Sequence, residues 1–236
     1  MSFLKISLLS LLCILSANLM ASTALPDFSK FKDVKQKKTA FFNYLQPYIE
    51  KANGEILQER KFIQTVNFSH LSTSQTVKIE SLMAKYRVTD KVISAQTKTA
   101  LLTKVDVIPA SLALAQAANE SAWGTSRFAR KAFNFYGQWC FSKGCGLVPL
   151  QRTKGMTHEV RKFSSPYESV KGYMLNLNRH KAFKLVRTER LKQRKQKLAP
   201  TGLKLAKGLV HYSERKHEYV KEISSMIRYN KLARFD

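Results

Sequence analysis

The chain has 236 residues, and with 44% hydrophobic and 11% aromatic residues it can bury a core, so its composition excludes a disordered chain. Its 41 Lys and Arg against 16 Asp and Glu give a formal net charge of +25. An excess of this size indicates a polyanionic partner or surroundings that tolerate a cationic surface, and nucleic acid, anionic membrane and anionic cell-wall polymer each satisfy it.

Residues 1–24 have the layout of a secretory signal peptide. Lys5 precedes the apolar run Ile6–Leu15, and Ser22-Thr23-Ala24 forms a cleavage site, with cleavage after Ala21 as the alternative. The run is shorter than the roughly 20 residues that span a bilayer, which favours a cleaved signal over a membrane anchor. We therefore expect an exported, periplasmic or secreted protein that does not meet nucleic acid.

Residues 25–104 are predicted to form an N-terminal helical region, to which the sequence assigns no role. Apolar residues recur at helical spacing over Asp27–Glu50, and Asn53-Gly54 predicts the end of that helix. The stretch 54–75 is mixed and polar and favours no element. Two further helices are predicted at Val77–Tyr86 and Val92–Leu102.

Residues 105–236 are predicted to form a mostly helical domain with a small β-hairpin insertion, so the fold class is mostly α (α+β). Pro109 begins a helix over Ala110–Glu120, which Gly124 stops or bends. A glycine-rich stretch at 137–164 includes a strand from Glu159 to Phe163. Ser165 and Pro166 start the next helix with a capping-box pattern. The other predicted helices cover 125–132, 180–199, 203–210 and 214–229.

Cys140 and Cys145 are the two cysteines outside the signal segment, since Cys13 lies inside it. Only four residues separate them, and an oxidising compartment favours a disulfide that closes this loop, with two free thiols as the alternative. A zinc site would need two more ligands nearby, and the sequence places none at metal-ligand spacing. We expect neither a metal nor another cofactor.

The segment Ala113–Gly137 contains the residues best suited to chemistry. A single acid, Glu120, ends an apolar helix whose side chains are small, and the bulky Trp123 follows as a candidate apolar wall. Such surroundings raise the pKa of a carboxyl group, as a general acid near neutral pH requires. Aromatic residues that suit sugar rings follow at Phe133, Phe135, Tyr136 and Trp139. Spacing alone leaves open the alternative that Glu120 is an ordinary acid at a helix end and that the aromatic residues belong to the core.

This segment resembles the glucosaminidase module of bacterial peptidoglycan hydrolases. The family shows an Ala-Gln-Ala start, an acid followed by Ser, then Trp-Gly, Ser, Phe-Ala and an Asn-x-aromatic-Gly ending. The sequence supplies these as Ala115-Gln116-Ala117, Glu120-Ser121, Trp123-Gly124, Ser126, Phe128-Ala129 and Asn134-Phe135-Tyr136-Gly137. The resemblance covers roughly residues 105–232, and the cysteine loop together with Ser213-Glu214-Arg215 points to the bacterial Bax-type secreted subgroup.

The resemblance implies a lysozyme-like helical fold and an endo-β-N-acetylglucosaminidase, which cleaves the β-1,4 bond after N-acetylglucosamine in peptidoglycan. Glu120 matches the family's catalytic acid, and Tyr212 falls on its tyrosine near the active cleft. The side chains then expected to bind substrate or shape the cleft are Ser121, Trp123, Asn134 and Tyr136.

A two-carboxylate mechanism also needs a nucleophile or base, about 5–5.5 Å from the acid for retention or roughly 6.5–9.5 Å for inversion. Glu159 is the sole acid in residues 121–167 and is therefore the hairpin candidate. An exposed strand residue without a catalytic role is the alternative for Glu159. In that case the N-acetyl group of the substrate itself could assist.

The run Lys181–Lys197 has eight cations and one acid, Glu189. It predicts either a solvated helix face or a surface attracted to anionic envelope polymers or lipid phosphates.

Two other functions compete with hydrolysis. One is a non-catalytic wall-binding or scaffold protein, against which the whole motif around Glu120 argues, and the other is a lytic transglycosylase, which needs only one acid.

Overall fold

The computed structural model describes residues 25–236, so the predicted signal peptide at 1–24 lies outside the described residues. Over the described part, the chain forms nine α-helices and one three-stranded antiparallel sheet. This confirms the mostly α class and the lysozyme-like, largely helical fold. None of these helices combines the length and the apolar character that crossing a membrane requires.

The helices are α1 (Val34–Thr65), α2 (Thr73–Tyr86), α3 (Ala95–Lys104), α4 (Ala110–Glu120), α5 (Arg127–Ala132), α6 (Pro166–Arg179), α7 (Lys184–Lys195), α8 (Gly202–Ala206) and α9 (His217–Tyr229). The strands are β1 (Trp139–Cys140), β2 (Gly146–Leu147) and β3 (Glu159–Arg161), with β3 in the middle. Val160 of β3 lies opposite Trp139 on one side and Leu147 on the other. Short 3₁₀ turns occupy Phe28–Lys30, Lys181–Phe183, Leu209–His211 and Leu232–Phe235.

Helix α4 is the central element of the fold. Its residues from Ala110 to Ala118 are all buried, because α1, α8 and α9 pack around it. The many alanines let these neighbours approach closely. Side chains from 25–104 and from 105–236 share one continuous hydrophobic core around α4. At its N-terminus, the Asp236 carboxylate accepts hydrogen bonds of 2.8 Å from the backbone N–H and the hydroxyl of Ser111.

Helix α1 extends beyond the end that Asn53-Gly54 predicts, and that prediction is wrong. The helix continues to Thr65. The side chain of Asn53 makes a paired contact with the backbone of Ile108, donating to its carbonyl at 2.9 Å and accepting from its N–H at 3.0 Å. Glycine within a helix costs about 1 kcal/mol relative to alanine. The burial of Leu45, Ile49 and Ile56 along α1 offsets that cost.

The basic run Lys181–Lys197 is only partly a solvated face. In α7 the guanidinium of Arg190 is buried and donates to the carbonyls of residues 103, 104, 106 and 107 and to the Asn178 amide oxygen. Arg194 forms a two-pronged pair with Asp106, at 2.8 and 3.0 Å. These cations join α7 to the loop between α3 and α4, so the solvated-face prediction is wrong for them. The exposed cations of the run are Lys181, Lys184, Lys192, Lys195 and Lys197.

Candidate active site

Glu120 is the last residue of α4, and its side chain is half-buried. Burial raises the pKa of this carboxyl group, the hydrogen bond from Tyr219 opposes the shift, and the negative charge of Glu222 adds to it. The net direction is upward. A raised pKa favours the protonated form of the group, which is the direction that a general acid requires.

The chain reverses immediately after Glu120 through three residues with left-handed backbone conformation. Ala122, Trp123 and Gly124 have φ angles of 49°, 59° and 78°. Such a conformation costs a non-glycine residue about 1–3 kcal/mol. Ser121 holds the turn together, since its hydroxyl donates to the Ala117 carbonyl at 2.6 Å and accepts from the Gly124 N–H at 2.8 Å. The turn ends α4 at the acid, so no further helical turn covers the carboxyl group.

The expectation that Ser121 binds substrate is corrected by this placement. Its side chain is fully buried, and its hydroxyl is occupied on both sides by the backbone of the turn. Ser121 therefore supports the acid from inside the protein.

A chain of hydrogen bonds reaches Glu120 from the interior. Tyr173 donates from its hydroxyl to Gln116 Oε1 at 2.7 Å, and Gln116 Nε2 donates to the Tyr219 hydroxyl at 2.9 Å. Tyr219 in turn donates to Glu120 Oε1 at 2.8 Å. Every donor in the chain points toward the carboxyl group. Oε1 is thereby held as an acceptor, and Oε2 receives no donor from this chain of hydrogen bonds.

The space beside Oε2 is kept open by Gly137. A Cβ atom at this position would lie 3.5 Å from Oε2, and the φ of Gly137 is +64°, a conformation that favours glycine. The glycine that ends the sequence motif therefore lies beside Oε2 of Glu120.

Tyr212, the predicted active-site tyrosine, lies one ring away from the acid. Its hydroxyl donates to the Tyr136 carbonyl at 3.0 Å, and its ring stacks on Tyr219 with centroids 5.4 Å apart. Tyr219 is the residue that contacts Glu120. Sequence analysis assigned Tyr219 no role at the site, although Tyr219, Ile223 and Ile227 recur on the buried face of α9. Burial raises the pKa of both phenols well above the usual value, so both remain donors.

Asn134 and Tyr136 shape the site from beneath and do not lie open to substrate. The Asn134 amide donates to the carbonyls of Gln138 and Arg161 at 2.8 and 2.9 Å, and its oxygen accepts from the Gln138 N–H. Tyr136 is buried and stacks on Tyr173 with ring centroids 3.9 Å apart. Because both side chains are buried, the prediction of direct substrate contact is corrected for these two residues.

Trp123 is partly exposed and lies at the edge of the site. Its ring packs edge-on against Phe41 and Phe42 of α1, at centroid distances of 5.9 and 5.4 Å. The ammonium of Lys38 lies 4.9 Å from the Trp123 ring. The N-terminal region thus positions the residue that sequence analysis expects to form an apolar wall.

Glu159 is engaged within the hairpin. Its two carboxylate oxygens accept hydrogen bonds from the backbone N–H groups of Gly144 and Gly146, at 2.9 and 2.7 Å. These hydrogen bonds lower the pKa of Glu159, which is therefore ionised. The residue is buried, so the exposed strand reading is wrong. In this arrangement the carboxylate organises the loop, and neither oxygen is free of a backbone donor.

The loop that Glu159 organises contains the predicted disulfide. Cys140 and Cys145 are bonded, with their Cα atoms 6.2 Å apart. Their sulfur atoms and a Glu159 oxygen lie within 4.8 Å of one another. Because the sulfurs are bonded to each other, they are not available as thiolate ligands for a metal.

Glu222 is an acid near the site that sequence analysis missed. It follows Tyr219 by three residues on α9, and residues at this spacing lie on the same side of a helix. Its charge acts on Glu120, and its carboxylate pairs with Arg215 at 2.8 Å. The helical spacing from Tyr219 is the signal that could have identified it.

Comparison with known proteins adds independent information. The family model described as Glucosaminidase, mannosyl-glycoprotein endo-beta-N-acetylglucosaminidase, matches residues 95–232, a range that begins at α3 and includes every residue placed around Glu120 from Gln116 to Glu222. Protein bax of Escherichia coli strain K12 is 31% identical over 220 residues, which cover 91% of this chain and 77% of that protein. No solved structure matches the chain.

Proposed function

Because the chain belongs to the glucosaminidase family of glycosidases, we propose that it is an endo-β-N-acetylglucosaminidase that hydrolyses peptidoglycan at the β-1,4 bond after N-acetylglucosamine. The observation that carries the proposal is the half-buried Glu120 at the open end of α4. Its pKa is raised by burial, and a phenol holds one of its oxygens. That is the state of a carboxyl group suited to protonating a leaving oxygen.

In this mechanism Glu120 is the general acid. Its proton passes from Oε2 to the glycosidic oxygen as the bond between that oxygen and the sugar carbon breaks, while positive charge develops on the sugar ring. The acid is left as a carboxylate, and the hydrogen bond from Tyr219 stabilises it. Because the hydrogen-bond chain donates toward Oε1 before and after the transfer, the step requires no rearrangement of Gln116 or Tyr173.

Glu159 was expected to supply the second catalytic group. The hydrogen bonds from two loop amides to its carboxylate support a structural role instead. The N-acetyl group of the substrate or Glu222 is then the group that stabilises the developing charge. Two variants separate these assignments. A loss in Glu159→Gln as severe as in Glu120→Gln would favour Glu159, and a loss under about tenfold would favour the others. An equally severe loss in Glu222→Gln would then identify Glu222.

The test of the function compares cleavage of purified peptidoglycan by the wild type and by Glu120→Gln. General acid catalysis contributes typically 10²–10⁴-fold, so we expect at least a hundredfold loss with binding of wall fragments retained. Glu218→Gln, a change at an exposed acid of α9, is the matched control and should cleave normally. Near-normal cleavage by Glu120→Gln would refute the assignment.

Mass spectrometry of the released glycan ends distinguishes the reaction types. A hydrolase leaves a reducing N-acetylglucosamine end, whereas a lytic transglycosylase leaves an anhydro end. Absence of cleavage by the wild type, together with binding to the wall polymer, would instead support the scaffold function.

We also propose that the protein acts outside the cytoplasm. The signal-like segment at residues 1–24 and the Cys140–Cys145 disulfide support this, because disulfides persist in oxidising compartments. N-terminal sequencing of exported protein should find a chain that begins after Ala24 or Ala21. An intact Met1 on exported protein would contradict the proposal.

A further inference from the structure

We propose that a cationic pocket remote from the chain's family motif binds a phosphate group that carries at least two negative charges. The pocket has a volume of about 600 Å³ and lies where the C-terminal ends of α2, α3 and α6 meet the N-terminal end of α7. Thr89 and seven basic side chains line it. The proposal goes beyond the glycosidase activity and does not depend on it, since binding is measured separately from cleavage.

Three of the cations in this pocket are held in place by backbone carbonyls. Lys104 donates to the last carbonyls of α2, at 2.9 and 2.6 Å, and Arg187 donates to two carbonyls at the end of α6, at 2.8 and 2.9 Å. Arg179 reaches the Lys85 carbonyl at 3.3 Å. These contacts orient the cations in advance and supply no full negative charge to balance them.

Among the described residues, no backbone carbonyl accepts a hydrogen bond from the side chains of the other cations of the pocket. Lys181 and Lys184 are both exposed. Lys184 is the first residue of α7 and Lys181 lies in the 3₁₀ turn before it, where the helix dipole disfavours positive charge and favours an anion. In the part of the chain that the structure describes, none of the lining cations forms an ion pair with a carboxylate. His180 also lines the pocket, and burial together with the charges of Arg87 and Lys181 lowers its pKa. The charge of Asp90 acts on Lys104 without forming an ion pair, and it compensates only one cation of the cluster.

Arg87 is a further cation of the pocket, and it lies at the end of a helix. It is the residue that ends α2, and its φ angle is 54°, in the left-handed region where glycine or asparagine is favoured. An arginine here is strained, and its side chain lines the pocket. The left-handed backbone at Arg87 makes glycine a substitution that removes the cation without straining the helix end.

The chemistry of the lining favours phosphate. Arginine presents paired N–H donors that match two oxygens of one phosphate, and lysine adds point charges around it. A single carboxylate carries one charge and two oxygens, which is a poor match for this many cations in one concavity. A phosphomonoester or a pyrophosphate supplies two or more charges and several acceptor oxygens.

The pocket is also connected to the surroundings of Glu120 through packed rings. His180 lies 5.8 Å from Phe183, which lies 5.6 Å from Tyr212, the ring that stacks on Tyr219. Three successive ring contacts thus separate His180 in the pocket from Tyr219, the phenol that donates to Glu120.

The test measures pyrophosphate binding to the purified protein by calorimetry at fixed ionic strength. The double variant Lys181→Gln/Lys184→Gln should bind at least tenfold more weakly than the wild type. The control Lys195→Gln/Lys197→Gln removes the same charge from exposed positions of the same basic run outside the pocket, and should change the affinity less than threefold. Equal losses in the two variants would overturn the proposal, because net charge alone would then explain the binding.

Arg87→Gly distinguishes binding from stability. Glycine suits the left-handed backbone, so the thermal midpoint should stay the same or rise while pyrophosphate affinity falls at least fivefold. Wild-type affinity in this variant would contradict the assignment of the pocket.

Two further arms identify the source of the phosphate. The wild type is tested for sedimentation with phosphatidylcholine vesicles that contain phosphatidic acid. If it sediments with them, and if only the Lys181→Gln/Lys184→Gln variant loses this binding, the phosphate belongs to a lipid. Pyrophosphate binding without such sedimentation would identify a soluble or polymer-borne phosphate. A polyglutamate peptide that binds the pocket more tightly than pyrophosphate would refute the phosphate assignment in favour of an acidic protein partner.

Discussion

Glu120 has two oxygens with different surroundings, and this difference determines its chemistry at the residue scale. Oε1 receives the hydrogen bond from Tyr219, and Oε2 faces the space that Gly137 leaves open. Burial raises the pKa of the group and the phenol moderates the shift. The balance between these two effects sets the pH range in which the acid is protonated.

Replacement of Tyr219 by phenylalanine tests that balance. The variant keeps the ring that stacks on Tyr212 but removes the hydrogen bond that lowers the pKa of Glu120, so this pKa rises further. Activity requires the protonated acid and falls as pH rises through its pKa, so the alkaline limb of the pH–rate profile should move to higher pH. The carboxylate left after proton transfer also loses a donor, and a hydrogen bond to a charged group contributes about 1.5–3 kcal/mol. We therefore expect roughly a 10–100-fold lower kcat/KM.

Tyr212→Phe is the control for this prediction. It removes a hydrogen bond to the Tyr136 carbonyl and no contact with the acid, so the loss should stay below tenfold and the alkaline limb should not move. A shifted limb in Tyr212→Phe with an unchanged limb in Tyr219→Phe would show that the roles are reversed.

At the element scale, the hairpin and helix α7 are both held by buried charge. In the hairpin, the Glu159 carboxylate receives the N–H groups on either side of Cys145. In α7, Arg194 donates to the Asp106 carboxylate, and Arg190 pairs with that carboxylate and donates to the carbonyls of the loop before α4. In both places buried charged side chains hold backbone at or between the ends of regular elements.

Glu159→Gln should loosen the disulfide loop. An amide offers one acceptor oxygen where the carboxylate offers two, so one of the two backbone N–H groups loses its partner, and the disulfide should be reduced faster by dithiothreitol. The wild type should show the same loosening in acid. Because the folded-state pKa of Glu159 is lowered, its contribution is present above the unfolded pKa of about 4.3 and is lost as pH falls through the folded value. An unchanged reduction rate in Glu159→Gln, beside a Glu218→Gln control, would contradict this role.

Asp106→Asn should destabilise the joint between α7 and the loop before α4. Burial alone would raise the pKa of Asp106, but the hydrogen bonds from Arg194 and the charges of Arg190 and Arg60 outweigh it, and the net pKa is lowered. The variant leaves Arg190 buried without its counter-charge, a change that costs about 3–5 kcal/mol. The free energy of unfolding from urea titration should fall by that amount at pH 7. Below the folded pKa of Asp106 the two proteins should converge, because the wild type is protonated there too.

Lys192→Gln is the matched control in α7. It breaks the exposed pair with Glu189 and should change the free energy of unfolding by less than about 1 kcal/mol. Equal effects of Asp106→Asn and Lys192→Gln would show that the buried cluster adds no more than a surface pair.

At the scale of the whole molecule, the N-terminal helices and the region that resembles the family share one core. Phe41 and Phe42 of α1 pack against Trp123 beside the acid, and Asn53 pairs with the backbone of Ile108 just before α4. The region 25–104, to which the sequence assigned no role, therefore supports the helix that ends at Glu120.

A chain restricted to residues 105–236 should not fold cooperatively. Removal of α1 exposes the buried side of α4 and takes away the packing around Trp123. Circular dichroism during urea titration should show a broad, non-cooperative loss of helix, whereas residues 25–236 should show one sharp transition. A sharp transition of the short chain at a similar urea concentration would show that this part is an independent domain.

The sequence by itself determined the features that depend on neighbours along the chain. Helical periodicity and caps predicted α4, the start of α6 at Ser165 and most other helices, and a spacing of five residues predicted the Cys140–Cys145 disulfide. The apolar surroundings of Glu120 predicted the direction of its pKa shift, because most of them lie on the same helix. The motif around Glu120 indicated the family.

Only the tertiary structure decided the features that depend on residues far apart in sequence. The donor to Glu120 lies 99 residues away, and the backbone carbonyls that accept from Arg190 lie 83 to 87 residues away. In the sequence, Asn53 predicts a helix end, whereas in the structure its side chain pairs with the backbone of Ile108. Glu159 is a candidate catalytic acid in the sequence, whereas in the structure two loop N–H groups donate to its carboxylate. Local sequence patterns indicate which side chains are polar, but tertiary packing determines which partner a buried polar group has. A polar group that is removed from water needs a hydrogen-bond partner, and the fold supplies that partner from residues distant in sequence.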